Sequence, residues 1–193
     1  MQKSLPILNY WSKIWNRHPA FNALLIYMVY TIISGTNRLG SQSEKVAMEY
    51  QRILFEKSID AKVFSLRNVD VLHRTPDFLK IENEILIPTQ KFIFIIPEYN
   101  GTFPGVLKAM IDNSDIIKVW QNKKALLTGI SSGRAGNLRG MDHLSASLHY
   151  MKMNVHHNKL PISSINKLID PDGRLDSETL KEIDEQLNGF INF

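Results

Sequence analysis

Three short stretches concentrate residues that can hold a phosphate or a flat ring. The first is SGTNRLGSQS, residues 34–43. It offers the hydroxyls of Ser34, Thr36, Ser41 and Ser43, the guanidinium of Arg38 and the free N–H groups of a helix start. Hydroxyls, backbone N–H groups and a helix dipole suit phosphate oxygens, and an arginine adds a charge-assisted pair. GTNRLGS has the spacing of two glycines separated by four residues, but the lysine of a triphosphate loop is missing. The dinucleotide pattern G-x-G-x-x-G is also absent, so a terminal monophosphate fits best. The second stretch is PEYNGTFPG, 97–105. Tyr99 can lie against a flat ligand, and Asn100 and the peptides around Gly101 can meet its polar edge; the same residues also make an ordinary tight turn. The third is SSGRAGN, 131–137, where Gly133 and Gly136 let backbone approach a planar group and Arg134 or Asn137 can bond a carbonyl.

These stretches need elements to hold them together. The runs 29–33, 61–66, 91–96 and 124–130 read as strands, with KFIFII at 91–96 the strongest signal, and 153–156 as a short last strand. Helical patterns cover 41 or 43 to 57, 77–87, 104–113, 138–152 and 176–190, with Pro88 closing one and Pro104 opening another. Apolar strands alternating with helices imply a parallel sheet buried on both faces. The expected fold class is α/β: a flavodoxin-like three-layer sandwich with a five-stranded parallel sheet in the order 2-1-3-4-5. In that order the loops after strands one, three and four share the carboxyl edge of the sheet. The three unusual stretches are those loops.

The 193 residues suffice for one domain, expected over 28–193. Residues 1–27 carry Lys3, Lys13 and Arg17 without an acid, so they hold +3 of the net charge of +4 and leave the remainder near neutral. A near-neutral domain argues against a nucleic-acid surface, and no apolar run is long enough for a membrane span. Residues 1–35 also resemble an export signal, but the glycine turn needs a strand to launch it. The expectation is therefore an extension over 1–27 outside the fold, with Met28 a plausible natural start. No cysteine is present, which removes disulfides, thiolate metal sites and a cysteine nucleophile, and fits a cytoplasmic setting. His156 and His157 are adjacent, so in a strand they point to opposite faces, and no metal site is expected. Phe92 and Phe94 read as core, and Lys123-Lys124 as a solvated strand entry.

Together the loops describe a flat aromatic ligand with a monophosphate tail, which is the description of FMN. S-G-T-x-R-x-x-S at 34–41, P-E-Y-N-G-x-x-P-G-x-L-K at 97–108 and G-I-S-S-G-R-A-G at 129–136 resemble the NADPH-dependent FMN reductase family, flavodoxin-like NAD(P)H:quinone, chromate and azo reductases. The resemblance runs from about Val29 to the last helix. It implies that Thr36, Arg38, Ser41 and Ser43 hold the FMN phosphate, beside the further hydroxyl of Ser34. Pro97, Glu98, Tyr99, Asn100 and Gly101 would line the isoalloxazine ring, and Ser131, Ser132, Gly133 and Arg134 would close over its other edge. Many members have serine in place of Thr36 and asparagine near Ser43. The resemblance implies NADPH or NADH as co-substrate, a small-molecule electron acceptor, ping-pong turnover, no catalytic acid or base, and a homodimer or homotetramer. An electron carrier of the flavodoxin type is the alternative. Carriers are strongly acidic and lack an arginine like Arg38, which favours the enzyme.

Overall fold

The computed structural model describes residues 28–170 and 172–193, and the expectation of an extension over 1–27 lies outside them. In chain order the elements are β1 (Tyr30–Ser34), α1 (Gln42–Glu56), β2 (Ala61–Ser65), α2 (Pro76–Ile81), β3 (Lys91–Pro97), α3 (Gly105–Asn113), β4 (Lys124–Ile130), α4 (Leu138–Tyr150), β5 (Asn154–Val155), β6 (Leu160–Ile162) and α5 (Ser177–Asn192). Wide, π-type turns at Glu82–Leu86 and Ile116–Trp120 extend α2 and precede β4.

The sheet runs β2-β1-β3-β4-β5 with every pair parallel, as the alternation of apolar strands and helices predicts. β3 lies at its centre, and six of its seven residues are buried. Phe92, Phe94 and Ile96 face one core, with Trp120, Leu107, Met141 and Leu144. Ile93 and Ile95 face the other, with Val46, Tyr50, Leu54, Leu187 and Phe190 of α1 and α5. The strand period of two thus feeds two apolar layers. The Phe92 ring lies 5.9 Å from Phe94 and 5.0 Å from Trp120, so the expected core role holds.

The far edge departs from expectation. The fifth strand is split: β5 pairs with Lys124 and Ala125, and β6 pairs with Thr128–Ile130. Between them the Leu127 carbonyl faces no strand. The Gln186 side chain of α5 fills that place, with Nε2 donating to Leu127 O (3.1 Å) and Asn158 O (2.9 Å). Its Oε1 accepts from Tyr50 Oη (2.6 Å) and Thr128 Oγ1 (3.1 Å). The buried Gln186 amide, the Tyr50 and Thr128 hydroxyls and the Leu127 carbonyl thus satisfy one another, as a dry interior requires.

Two expectations are corrected here. His156 and His157 do not point apart: they stand beyond the end of β5, where the alternation of a strand no longer applies, and their rings lie 4.5 Å apart. His156 is buried beside Phe190 and Phe193, and burial, then the neighbouring His157, holds its pKa down. The Lys123-Lys124 pair is not simply solvated. Lys123 Nζ donates to the carbonyls of Ile87 (2.9 Å) and Thr89 (2.7 Å), and Lys124 Nζ to that of Phe193. Among the described residues no helix is long and apolar enough to cross a membrane.

Candidate functional site

The loop after β1 starts pressed against β3. Gly35 N–H donates to Ile95 O at 2.9 Å, and a Cβ on Gly35 would stand 3.0 Å from that oxygen, so glycine is the residue that fits. The loop closes on Ser41, the N-cap of α1, whose Oγ accepts from Glu44 N–H. The N–H groups of Gln42 and Ser43, in the first turn, have no intrahelical acceptor. Ser43 Oγ is buried and meets no partner among the described residues.

Tyr99 joins this loop to the next. Its hydroxyl lies 2.7 Å from Thr36 Oγ1, which also accepts from Arg38 N–H. The Arg38 guanidinium sits 4.3 Å from the Tyr99 ring centroid, stacked over its face. Tyr99 and Thr102 exchange backbone bonds of 2.8 and 3.1 Å around Asn100 (φ 52°) and Gly101 (φ 78°). Positive φ at both central residues is the type I′ hairpin turn, for which Asn-Gly is the preferred pair. Thr102 Oγ1 then meets His143 Nδ1 of α4 at 2.9 Å, which pins the turn.

The loop after β4 is organised from inside. Ser131 Oγ donates to Gly133 O (3.0 Å) and accepts from Gly136 N–H (2.9 Å). Its neighbours differ from expectation. Gly136 has φ 54°, and a Cβ there would lie 2.6 Å from Pro161, so this glycine admits β6 rather than a ligand. Asn137 is buried, with Nδ2 donating to Ile96 O (3.0 Å), so its amide anchors the loop to β3. A fourth segment follows β6. Ser164 N–H donates to Gly133 O (2.7 Å), Ile165 N–H to Ser131 O (3.0 Å), and Asn166 Oδ1 accepts from Gln42 Nε2 (3.2 Å).

These segments enclose a cavity of about 300 Å³. Thr36, Arg38, Ser41 and Ser43 line one end, Pro97, Glu98 and Tyr99 a side, and Ser131 and Ser132 another. Five of the expected residues do not line it. Ser34 is fully buried, and its Oγ has no bond among the described residues. Asn100 and Gly101 form the hairpin turn, and Gly133 and Arg134 occupy the exposed part of their loop. Leu39, Gly40 and Gln42 line it from within the first stretch, and Ile130 from the end of β4. Ile165 and Asn166 also line it and carry no local signal beyond a short polar cluster after a proline. Glu98 is the only acid in the wall, and Arg38 makes no salt bridge among the described residues. The cavity therefore suits an anionic tail at the α1 end and a planar group beside Tyr99. A larger groove of about 490 Å³ runs between Lys108–Ile116 and Ala146–Met151, but its two charged groups, Lys108 and Asp112, neutralise each other at 2.6 Å. It offers no convergent polar set, so the smaller cavity is the functional candidate.

Comparison with known proteins agrees with this geometry. Residues 28–167 match the NADPH-dependent FMN reductase family. An NAD(P)H-dependent FMN reductase of Pseudomonas aeruginosa is 32% identical over 97 residues, a match spanning 49% of this chain and only about half (52%) of that protein. An NAD(P)H-dependent FMN reductase of Saccharomyces cerevisiae is 29% identical over 142 residues, covering 69% of this chain and 70% of the yeast protein. Among solved structures, the flavoenzyme NAD(P)H:(acceptor) oxidoreductase of Paracoccus denitrificans superposes with a TM-score of 0.67 at 21% identity, over 85% of this chain and 94% of its own. The expected flavodoxin-like fold thus stands, with β6 as an addition. The family match spans β1 to the segment after β6 and so includes every loop of the cavity. On that match the chain belongs to the NADPH-dependent FMN reductase family.

Proposed function

We propose that this chain is an FMN-dependent NAD(P)H oxidoreductase that passes electrons to a small acceptor, quinone-like or azo, in a ping-pong cycle. One observation carries the reading: a buried, unbonded hydroxyl, Ser43 Oγ, opens with Arg38 and the first turn of α1 onto a cavity walled by Tyr99. That donor set fits a flavin mononucleotide, whose phosphate is a dianion and whose ring is flat. Bound FMN would supply two-electron redox chemistry, taking electrons from the nicotinamide and yielding them to the acceptor. The chain's own residues bind and orient. Arg38, Ser41, Ser43 and the N–H groups of Gln42 and Ser43 supply charge and donors for the phosphate. The Thr36–Tyr99 bond fixes the angle between the phosphate end and the ring wall. The bond from Glu98 N–H to Ile130 O (2.8 Å) holds the second loop against the third. No side chain is assigned as acid or base, and Glu98 is exposed at the rim.

The reading extends to a cytoplasmic setting, where reduced nicotinamides are available as donors. The exposed Ile116, Ile117 and Tyr150 offer apolar surface for assembly as a homodimer or homotetramer. The test is direct. The purified protein should be yellow, or become so with FMN, and its flavin absorbance should bleach with NADPH or NADH and return with a quinone. A protein that stays colourless after FMN is added overturns the proposal.

A further inference from the structure

The segment after β6 is the one cavity wall that no glycine-rich loop supplies. Asn166 stands there in a single helical turn, Ile165–Lys167, braced by the bonds of Ser164 and Ile165 to the third loop. Its Oδ1 accepts from the side chain of Gln42, which lies between Ser41 and Ser43 at the start of α1. When two amides share one such bond, the acceptor partner keeps its whole NH2 group available. The NH2 of Asn166 makes no hydrogen bond among the described residues, and Asn166 belongs to the cavity lining shared by Arg38, Ser41 and Ser43. Gln42 Oε1, on the other partner, is buried without a bond among the described residues. The pair thus reaches from the anion-binding helix end to a segment 124 residues away and brings an unspent donor with it.

We propose that Asn166 is a further phosphate-positioning residue, latched by Gln42 and donating its NH2 to the tail of the bound flavin. This rests on the FMN reading of the cavity. A bare structural latch would use only the Oδ1 acceptor, whereas a phosphate contact uses the NH2, and one substitution separates them. Asn166→Asp keeps the size and the acceptor for Gln42 but replaces the NH2 with a charged oxygen. FMN titration by flavin fluorescence should show at least a tenfold weaker Kd, eased by added salt because the repulsion is screened. Asn166→Ala, which adds no repulsion, should lose less, a few-fold. Riboflavin, which lacks the phosphate, should bind both variants as it binds the parent, and urea unfolding of the Asn166→Asp apoprotein, which keeps the acceptor for Gln42, should be unchanged. FMN affinity unaltered in Asn166→Asp, or an equal loss for riboflavin, overturns the assignment while leaving the FMN reading intact. Failure of the parent chain to bind FMN overturns both.

Discussion

Replacing Ser43 with alanine should move two free energies in opposite directions. In the free protein the Ser43 hydroxyl is 1% exposed and bonds to nothing among the described residues. Burying a hydroxyl without a partner costs about 1–3 kcal/mol. Alanine removes that cost and is the better helix former by roughly 0.5 kcal/mol. The void left by the missing oxygen offsets part of those terms, so the apoprotein should gain about 1 kcal/mol in urea unfolding, or at worst lose nothing. Binding should suffer, because a hydrogen bond to a charged group contributes about 1.5–3 kcal/mol. At 1.4 kcal/mol per decade that is a 10- to 150-fold weaker Kd for FMN, read by fluorescence titration. The two effects meet in one measurement. At FMN one hundred times the parent Kd, ligand stabilisation is about 2.7 kcal/mol, and a thirtyfold loss of affinity cuts it to about 0.9 kcal/mol. The variant should thus be the more stable protein without FMN and the less stable one with it. An apoprotein that loses stability while FMN affinity stays constant would refute the reasoning, because Ser43 would then be a structural group with an unseen partner.

Three further outcomes test the scaffold. Gly136→Ala forces a Cβ to within 2.6 Å of Pro161 at φ 54°, so unfolding free energy should fall by about 2 kcal/mol or more, and a change below about 0.5 kcal/mol contradicts the close approach. Gln186→Leu strands the Leu127 and Asn158 carbonyls and should cost about 3 kcal/mol in urea, whereas Tyr50→Phe, which leaves Thr128 bonded to Gln186, should cost about 1 kcal/mol; equal costs would mean Gln186 does not bridge the split strand. Lys91 is buried, with Nζ donating to Phe190 O and Ile191 O, and burial, then the Lys124 charge, pushes its pKa down to about 8. Between pH 8 and 10.5 the unfolded chain keeps this proton and the folded chain sheds it, so stability rises with pH by at most about 1.4 kcal/mol per unit. Measured against Lys91→Met, the parent should gain across that window and lose the gain as pH falls through 8; a flat difference refutes the shift.

The sequence by itself determined the layers and most of the site. Continuous apolar runs such as KFIFII, short and rich in β-branched and aromatic residues, read as strands buried on both faces, and their alternation with helices specified a parallel sheet. That sheet carries its loops to one edge, so Thr36, Arg38, Tyr99 and Ser131 were legible as neighbours before any contact was visible. Asn-Gly at 100–101 had two local readings, and the structure shows the hairpin turn, which satisfies two backbone bonds. Other features belonged to tertiary structure alone. β6 is three residues with a proline at its centre, too short to show a period, and it is a strand because β4 offers an unpaired edge there. Gly136 looked like a ligand-side glycine, but its neighbour is Pro161, brought back by that strand. Lys91 and Gln186 are polar letters that any composition reading places outside, yet each is buried with its polar end bonded to backbone carbonyls, Phe190 O and Ile191 O for Lys91 and Leu127 O for Gln186. Asn166 reaches the site across 124 residues from its partner Gln42. Local sequence records the period and burial of an element. It does not record which distant group will stand opposite, because packing decides that.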